Sequence, residues 1–147
     1  WVGHWTLHIQ CPMSHPPNHQ ITKSPNDMRV VHFEIPSDNP EASLKFYGDV
    51  FGWQFQQFGD EGYWLAITGN DSEPGINGAI MQKKHPQQPV ANSIQVNNID
   101  EAIRTIEGHG GVIVLPKMAV PGVGWLAYFT DPDKNIFGVW QEDRSAK

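Results

Sequence analysis

Within Val31-His32-Phe33-Glu34-Ile35 an imidazole and a carboxylate stand two residues apart, a spacing that puts both on one side of an extended segment. A histidine beside a carboxylate is a proton-transfer pair, because the acid raises the imidazole's basicity and holds one tautomer. His32 and Glu34 are therefore the candidate catalytic residues. The plainer reading is a satisfied polar pair lining a cavity, or a carboxylate anchoring a backbone amide; perturbed polar pairs are common without catalysis. Aromatic residues supply a second signal. Trp53, Trp64, Trp125 and Trp140, with Tyr63 and Tyr128, fall on or beside apolar runs, where they would suit a planar or partly apolar ligand held by stacking. The candidate ligand contacts are Trp64, Met81, Ser93, Gln95, Trp125 and Trp140. Ordinary core packing competes for each aromatic and is preferred for Trp53, as it is for Phe33, Phe137 and Val139.

Other motifs carry less. Pro121-Gly122-Val123-Gly124 enters a strand and opens no helix, so the stretch Ala119 to Trp125 is a tight turn or a lid and not a dinucleotide fingerprint. Asp131-Pro132-Asp133-Lys134-Asn135 is a hairpin turn despite its acids. There is no serine nucleophile elbow. His4 with His8 and His15 with His19 have the i, i+4 spacing of a helical metal pair, but the prolines among them and the lack of caps oppose a helix there.

The elements that must position these residues emerge from an internal repeat. Shifting the chain by 59 residues lays Val31, Ile35, Asn39, Leu44, Lys45 and Gly52 on Val90, Ile94, Asn98, Ile103, Arg104 and Gly111 without a gap, and Trp64-Leu65-Ala66 returns as Trp125-Leu126-Ala127 at a shift of 61. Each unit reads strand, helix, then three strands. In the first, residues 29–35 alternate, a helix begins at Asp38 or Asn39 with Pro40 and Glu41 in its first turn and stops at Gly52, and strands follow near 53–58, 63–68 and 76–82. In the second, strands near 90–96, 112–115, 124–130 and 136–141 accompany a helix over 100–107 capped from Val96-Asn97-Asn98. The expected fold class is α+β, two tandem βαβββ modules at 28–84 and 90–143 within one domain, 28–147. Residues 1–27 differ from it. They hold four of the seven histidines, no acid before Asp27 and no periodicity, and they read as an extension that is either disordered or of upstream origin.

Composition narrows the partners. Ten Lys and Arg against 16 Asp and Glu, a formal net charge of −6, oppose broad binding to nucleic-acid phosphates or an anionic membrane surface. No run reaches the roughly 18 apolar residues of a membrane span. A small molecule is the expected partner, and the single Cys11 fits a cytoplasmic protein without requiring one.

Taken together, Val31-His32-Phe33-Glu34-Ile35-Pro36, Pro40-Glu41 through Phe46-Tyr47-Gly48-Asp49-Val50-Phe51-Gly52-Trp53, Asp100-Glu101-Ala102-Ile103, Gly110-Gly111, Pro121-Gly122-Val123-Gly124 and Asp131 through Asn135 resemble the vicinal oxygen chelate superfamily, which embraces glyoxalase I, extradiol dioxygenases and fosfomycin- and bleomycin-resistance proteins. The resemblance spans residues 29–142, and its phrasing is closest to the lactoylglutathione-lyase-related branch of unassigned function. It implies an open, cup-shaped, eight-stranded mixed sheet with helices outside, and often a homodimer, which would also cover exposed sheet edges. It also implies metal ligands facing into the cup from the first and last strand of each unit. Those positions fall on His32, Ala79, Ala91 and Gly138, of which only His32 can coordinate, so the expected metal and cofactor are none. Three functions remain: a metal-independent enzyme of lyase, isomerase or epimerase type using His32 and Glu34, a binding protein that sequesters an aromatic or amphiphilic compound as the bleomycin-resistance branch does, or a structural or regulatory domain whose cup is vestigial; ligand binding unites the first two and is the expectation. Neither glyoxalase I nor extradiol dioxygenase chemistry is expected.

Overall fold

The computed structural model describes residues 28–59 and 62–147; the expectations for residues 1–27 lie outside the described residues. Ten elements follow in chain order: β1 (Val30–Ser37), α1 (Pro40–Phe51), β2 (Gln54–Gln57), β3 (Tyr63–Ile67), β4 (Gly78–Gln82), β5 (Ala91–Gln95), α2 (Ile99–Gly108), β6 (Val112–Val120), β7 (Gly124–Thr130) and β8 (Ile136–Glu142). This is βαβββ twice, as the 59-residue shift predicts.

The strands form one mixed sheet in the order β2-β3-β4-β1-β5-β8-β7-β6. Each module keeps its first and last strands parallel, β1 with β4 and β5 with β8, and the modules join through the antiparallel pair β1–β5. The sheet therefore ends in two open edges, β2 and β6, and the first strand of each module lies at its centre.

Local chemistry sets the helices. The Asn39 side chain accepts from the Ala42 amide while Pro40 occupies the first turn, and Gly52 closes α1 with φ of 73°. Asn98 caps α2 in the same way, accepting from the Glu101 amide. Both helices lie on one side of the sheet. Under α1, Tyr47 stacks on Trp53 with ring centroids 4.9 Å apart, and Trp53 in turn meets Phe33 at 5.5 Å. Under α2, Val96, Ile99, Ala127 and Val139 are buried together with Trp125 and Phe129 against them.

The main departure from expectation is β6, which runs to Val120 instead of stopping near 115. Its register against β7 shifts twice, between Ile113 and Leu115 and between Leu115 and Met118, so strict alternation is lost around Pro116 and period-two reading cannot follow it. The turn after it is tied to the chain's end: the Gly122 amide donates to the Ala146 carbonyl and the Asp143 amide to the Val123 carbonyl. Among the described residues no helix is long and apolar enough to cross a membrane.

Candidate functional site

Opposite the helices, two neighbouring rows of side chains cross the middle of the sheet. One runs Leu65, Ala79, Glu34, Ala91 across β3, β4, β1 and β5. The other runs His32, Ser93, Gly138, Tyr128 across β1, β5, β8 and β7. Above them lies a cavity of about 500 Å³. Its polar lining is His32, Glu34, Tyr63 and Ser93; the rest is Val31, Phe58 and Leu65 from the first module and Val120, Val123, Leu126 and Trp140 from the second. Both halves of the duplication thus contribute walls, while three of the four polar groups come from the first.

The two candidate catalytic residues do meet here, but each is bonded to a tyrosine. His32 Nε2 lies 2.8 Å from the Tyr63 hydroxyl. The Tyr128 hydroxyl donates to Glu34 Oε1. The His32–Tyr63 bond forms in either tautomer, with the imidazole accepting the phenol's proton or donating its own. Glu34 is only 8% exposed and Ser93 only 3%. Burial pulls the His32 imidazole below its ordinary value, and the opposing field of Glu34 does not make up the difference. The expected gain in basicity from the neighbouring acid is therefore overridden by desolvation. Burial and then the Glu34 charge push both Tyr63 and Tyr128 well above the usual phenol range, so each stays a proton donor at any physiological pH.

Trp140 and Ser93 line the cavity as the sequence suggests. Trp64 and Trp125 do not: they stand on the helix side, one residue out of phase with cavity-facing Tyr63, Leu65 and Leu126. Trp64 shares the face of its register partner, fully buried Ile80. Trp125 packs under α2, donates through Nε1 to Asp143 at 3.0 Å and carries the Lys117 ammonium 4.4 Å over its ring. The Trp-Leu-Ala repeat is real, and in both copies the leucine enters the cup while the tryptophan and alanine face a helix. Met81 has the cup-side parity and pairs with Tyr63, but its sulfur takes the Gln88 amide at 3.6 Å beside the cavity. Gln95, opposite Trp140, is exposed at the end of β5 and does not line the cavity. Sequence reasoning named Tyr63 and Tyr128 only among the aromatics suited to a ligand lining and gave their hydroxyls no part in the site. Their parity with Leu65 and Leu126 was the available signal.

The positions where the resemblance implies metal ligands carry no chelating set beyond His32. Ala79 and Ala91 flank Glu34 and offer only methyl groups. At Gly138 a Cβ would sit 2.5 Å from Ser93 Oγ and 3.4 Å from a ring carbon of Tyr128, so a side chain there would displace the Ser93 hydroxyl, and glycine itself offers no ligand. The ring of Tyr128 passes this point on its way to Glu34. Among the described residues no group of three His, Cys, Asp or Glu side chains could hold an ion. The donor set does not fit a chelated divalent metal.

Comparison with known proteins agrees with the architecture. A family described as bleomycin resistance protein-like N-terminal matches residues 29–69. Anthracycline biosynthesis protein DauV of Streptomyces sp. (strain C5) is 25% identical over 126 residues, an alignment that covers 75% of this chain and 46% of that protein. The chain thus spans about half the length of this curated relative. Among solved structures, a glyoxalase/bleomycin resistance protein/dioxygenase superfamily member from Vibrio splendidus 12B01 is similar with a TM-score of 0.56 and 19% identity, covering 79% of this chain and 99% of that one. Methylmalonyl-CoA epimerase from Mycobacterium tuberculosis gives 0.59 and 12%, covering 85% and 94%.

Proposed function

The chain has the fold of the vicinal oxygen chelate proteins, and we propose that it belongs with them and binds a small, largely apolar or aromatic molecule in the cup without a chelated metal. One observation carries this reading: a cavity of about 500 Å³ with a mainly apolar wall and its polar groups gathered on one side of the floor. That is the usual make-up of a small-molecule site, where the wall supplies affinity and a few hydrogen-bonding groups fix orientation. Trp140 and Phe58 offer ring faces to a planar ligand. The name of the Streptomyces relative lends support, since anthracyclines are fused-ring aromatic compounds.

A second reading, proton transfer on the bound molecule, is favoured by the His32–Tyr63 pair. A neutral imidazole coupled to a phenol that keeps its proton can accept a proton on one nitrogen while the other partner donates. A thermal-shift screen of aromatic compounds, followed by His32→Ala and Trp140→Ala, separates the two. Sequestration predicts that Trp140→Ala weakens binding about tenfold or more and that no compound is converted. Catalysis predicts product from a bound compound, lost in His32→Ala with binding retained. No stabilising compound in the screen, or equal binding by Trp140→Ala, counts against the cup as the site.

A further inference from the structure

The floor of the cup holds the Glu34 carboxylate with no cationic side chain opposite it among the described residues. Among the described residues no Lys or Arg lines the cavity, and none of the ion pairs of the described residues involves Glu34. The basic group nearest in the lining is His32, which burial keeps neutral, and the groups bonded to the pair are phenols. A carboxylate has about four acceptor sites; Tyr128 takes one on Oε1 and the Tyr63 hydroxyl is within reach of a second, which leaves capacity facing the cavity that Glu34 lines. A buried anion is costly until an opposite charge comes within hydrogen-bond reach, and the apolar wall strengthens that attraction by excluding water. Aromatic faces of Trp140 and Phe58 in the same wall attract cations and repel anions.

Resting on the cup as the binding site, we infer that the ligand class is an aromatic or apolar molecule bearing a cationic nitrogen, with the ring body against Trp140 and Leu126 and the nitrogen donating to the Glu34 carboxylate. Neutral analogues would fit the same wall and bind less well, and carboxylates of the same shape would be rejected by Glu34.

The test uses three tricyclic probes of one shape and different charge: 9-aminoacridine as the cation, acridone as the neutral compound and acridine-9-carboxylate as the anion. Affinities are measured by fluorescence at neutral pH on the full chain, with acridone used to displace 9-aminoacridine and so establish a shared site. The expected result is 9-aminoacridine binding about tenfold tighter than acridone, with the carboxylate weakest, and a cation-to-neutral ratio that falls towards one in Glu34→Gln. Tyr128→Phe serves as the second variant, because it keeps the charge and removes one donor from it; the ratio should rise. Equal binding of cation and neutral compound, an unchanged ratio in Glu34→Gln, or a lower ratio in Tyr128→Phe overturns the charge assignment and leaves the cup standing. If none of the three probes binds, the proposed function falls with it.

Discussion

Replacing Gly124 with alanine tests the packing that puts Trp140 in the cup. Gly124 opens β7 opposite Glu142, and a Cβ built there would lie 2.3 Å from the main-chain oxygen of Gln141 and 2.6 Å from the indole ring of Trp140. A side-chain obstacle can rotate away; a carbonyl in a paired strand cannot. Either β8 moves off β7 at this end, stretching their ladder, or the main chain of β7 bends and pushes the indole further into the cavity. Overpacking of this kind costs about 1–3 kcal/mol, and the immovable oxygen places Gly124→Ala in the upper half of that range. For a domain of this size each kcal/mol is worth about 3–5 °C in Tm, so a fall of about 6–15 °C is expected in a thermal melt, together with weaker binding of acridone as the cavity narrows. In the double variant Gly124→Ala with Trp140→Ala only the ring overlap is removed, so the loss of Tm should be recovered in part. A melt within about 1 °C of the parent for Gly124→Ala, or full recovery in the double variant, would refute the close β7–β8 packing from which the position of Trp140 is argued.

Three further outcomes follow from the site. Tyr128→Phe leaves Glu34 without the phenol that donates to it and should lower stability by about 1–3 kcal/mol in denaturant titration, unless bound cation restores it. The pH profile carries the signature of His32. With the folded imidazole below its ordinary value, the unfolded chain binds more protons just under the unfolded value, about 6.5, so this part of stability is complete above that pH and is lost as pH falls through the window down to the folded value; His32→Gln should flatten the melt profile there. Trp125→Phe removes the bond to Asp143 and weakens the Lys117 contact, so it should cost about 1 kcal/mol in stability and leave probe affinity unchanged, whereas Trp140→Ala lowers probe affinity.

That contrast between two tryptophans shows where the sequence was readable. The duplication, the caps at Asn39 and Asn98 and the helix stop at Gly52 rest on local rules, and each stands where expected. The inward direction of His32 and Glu34 on β1 was also legible from their alternation with Phe33 and Ile35, but the register shift between Val30 and His32 adds Val31 to the cavity wall, which alternation does not predict. In β3 and β7 the pattern is Tyr-Trp-Leu-Ala-Ile and Gly-Trp-Leu-Ala-Tyr, apolar or aromatic at nearly every position, because one face meets a helix and the other an apolar cup. Such strands carry no polar phase marker, and a one-residue error exchanges the faces. The bulky tryptophans drew attention to the wrong phase.

The chemistry of the site was hidden for a different reason. Tyr128 lies 94 positions from the carboxylate it serves, and Tyr63 lies 31 from the imidazole it meets. No spacing rule links residues so far apart; the sheet order does, by placing β3 on one side of β1 across β4 and β7 on the other side across β5 and β8. Once that order is known, Gly138 acquires a meaning it lacked in the sequence. It is the one position in its cross-strand row with no side chain, and the space it leaves lets a phenol reach across β8 and β5 towards the carboxylate on β1. A side chain at 138 would meet the Ser93 hydroxyl first and stand in contact with the Tyr128 ring, crowding the route by which that phenol reaches Glu34. The tyrosine–carboxylate contact thus runs through the gap at Gly138, and the acid that it leaves facing the cavity is the group proposed to recognise the ligand.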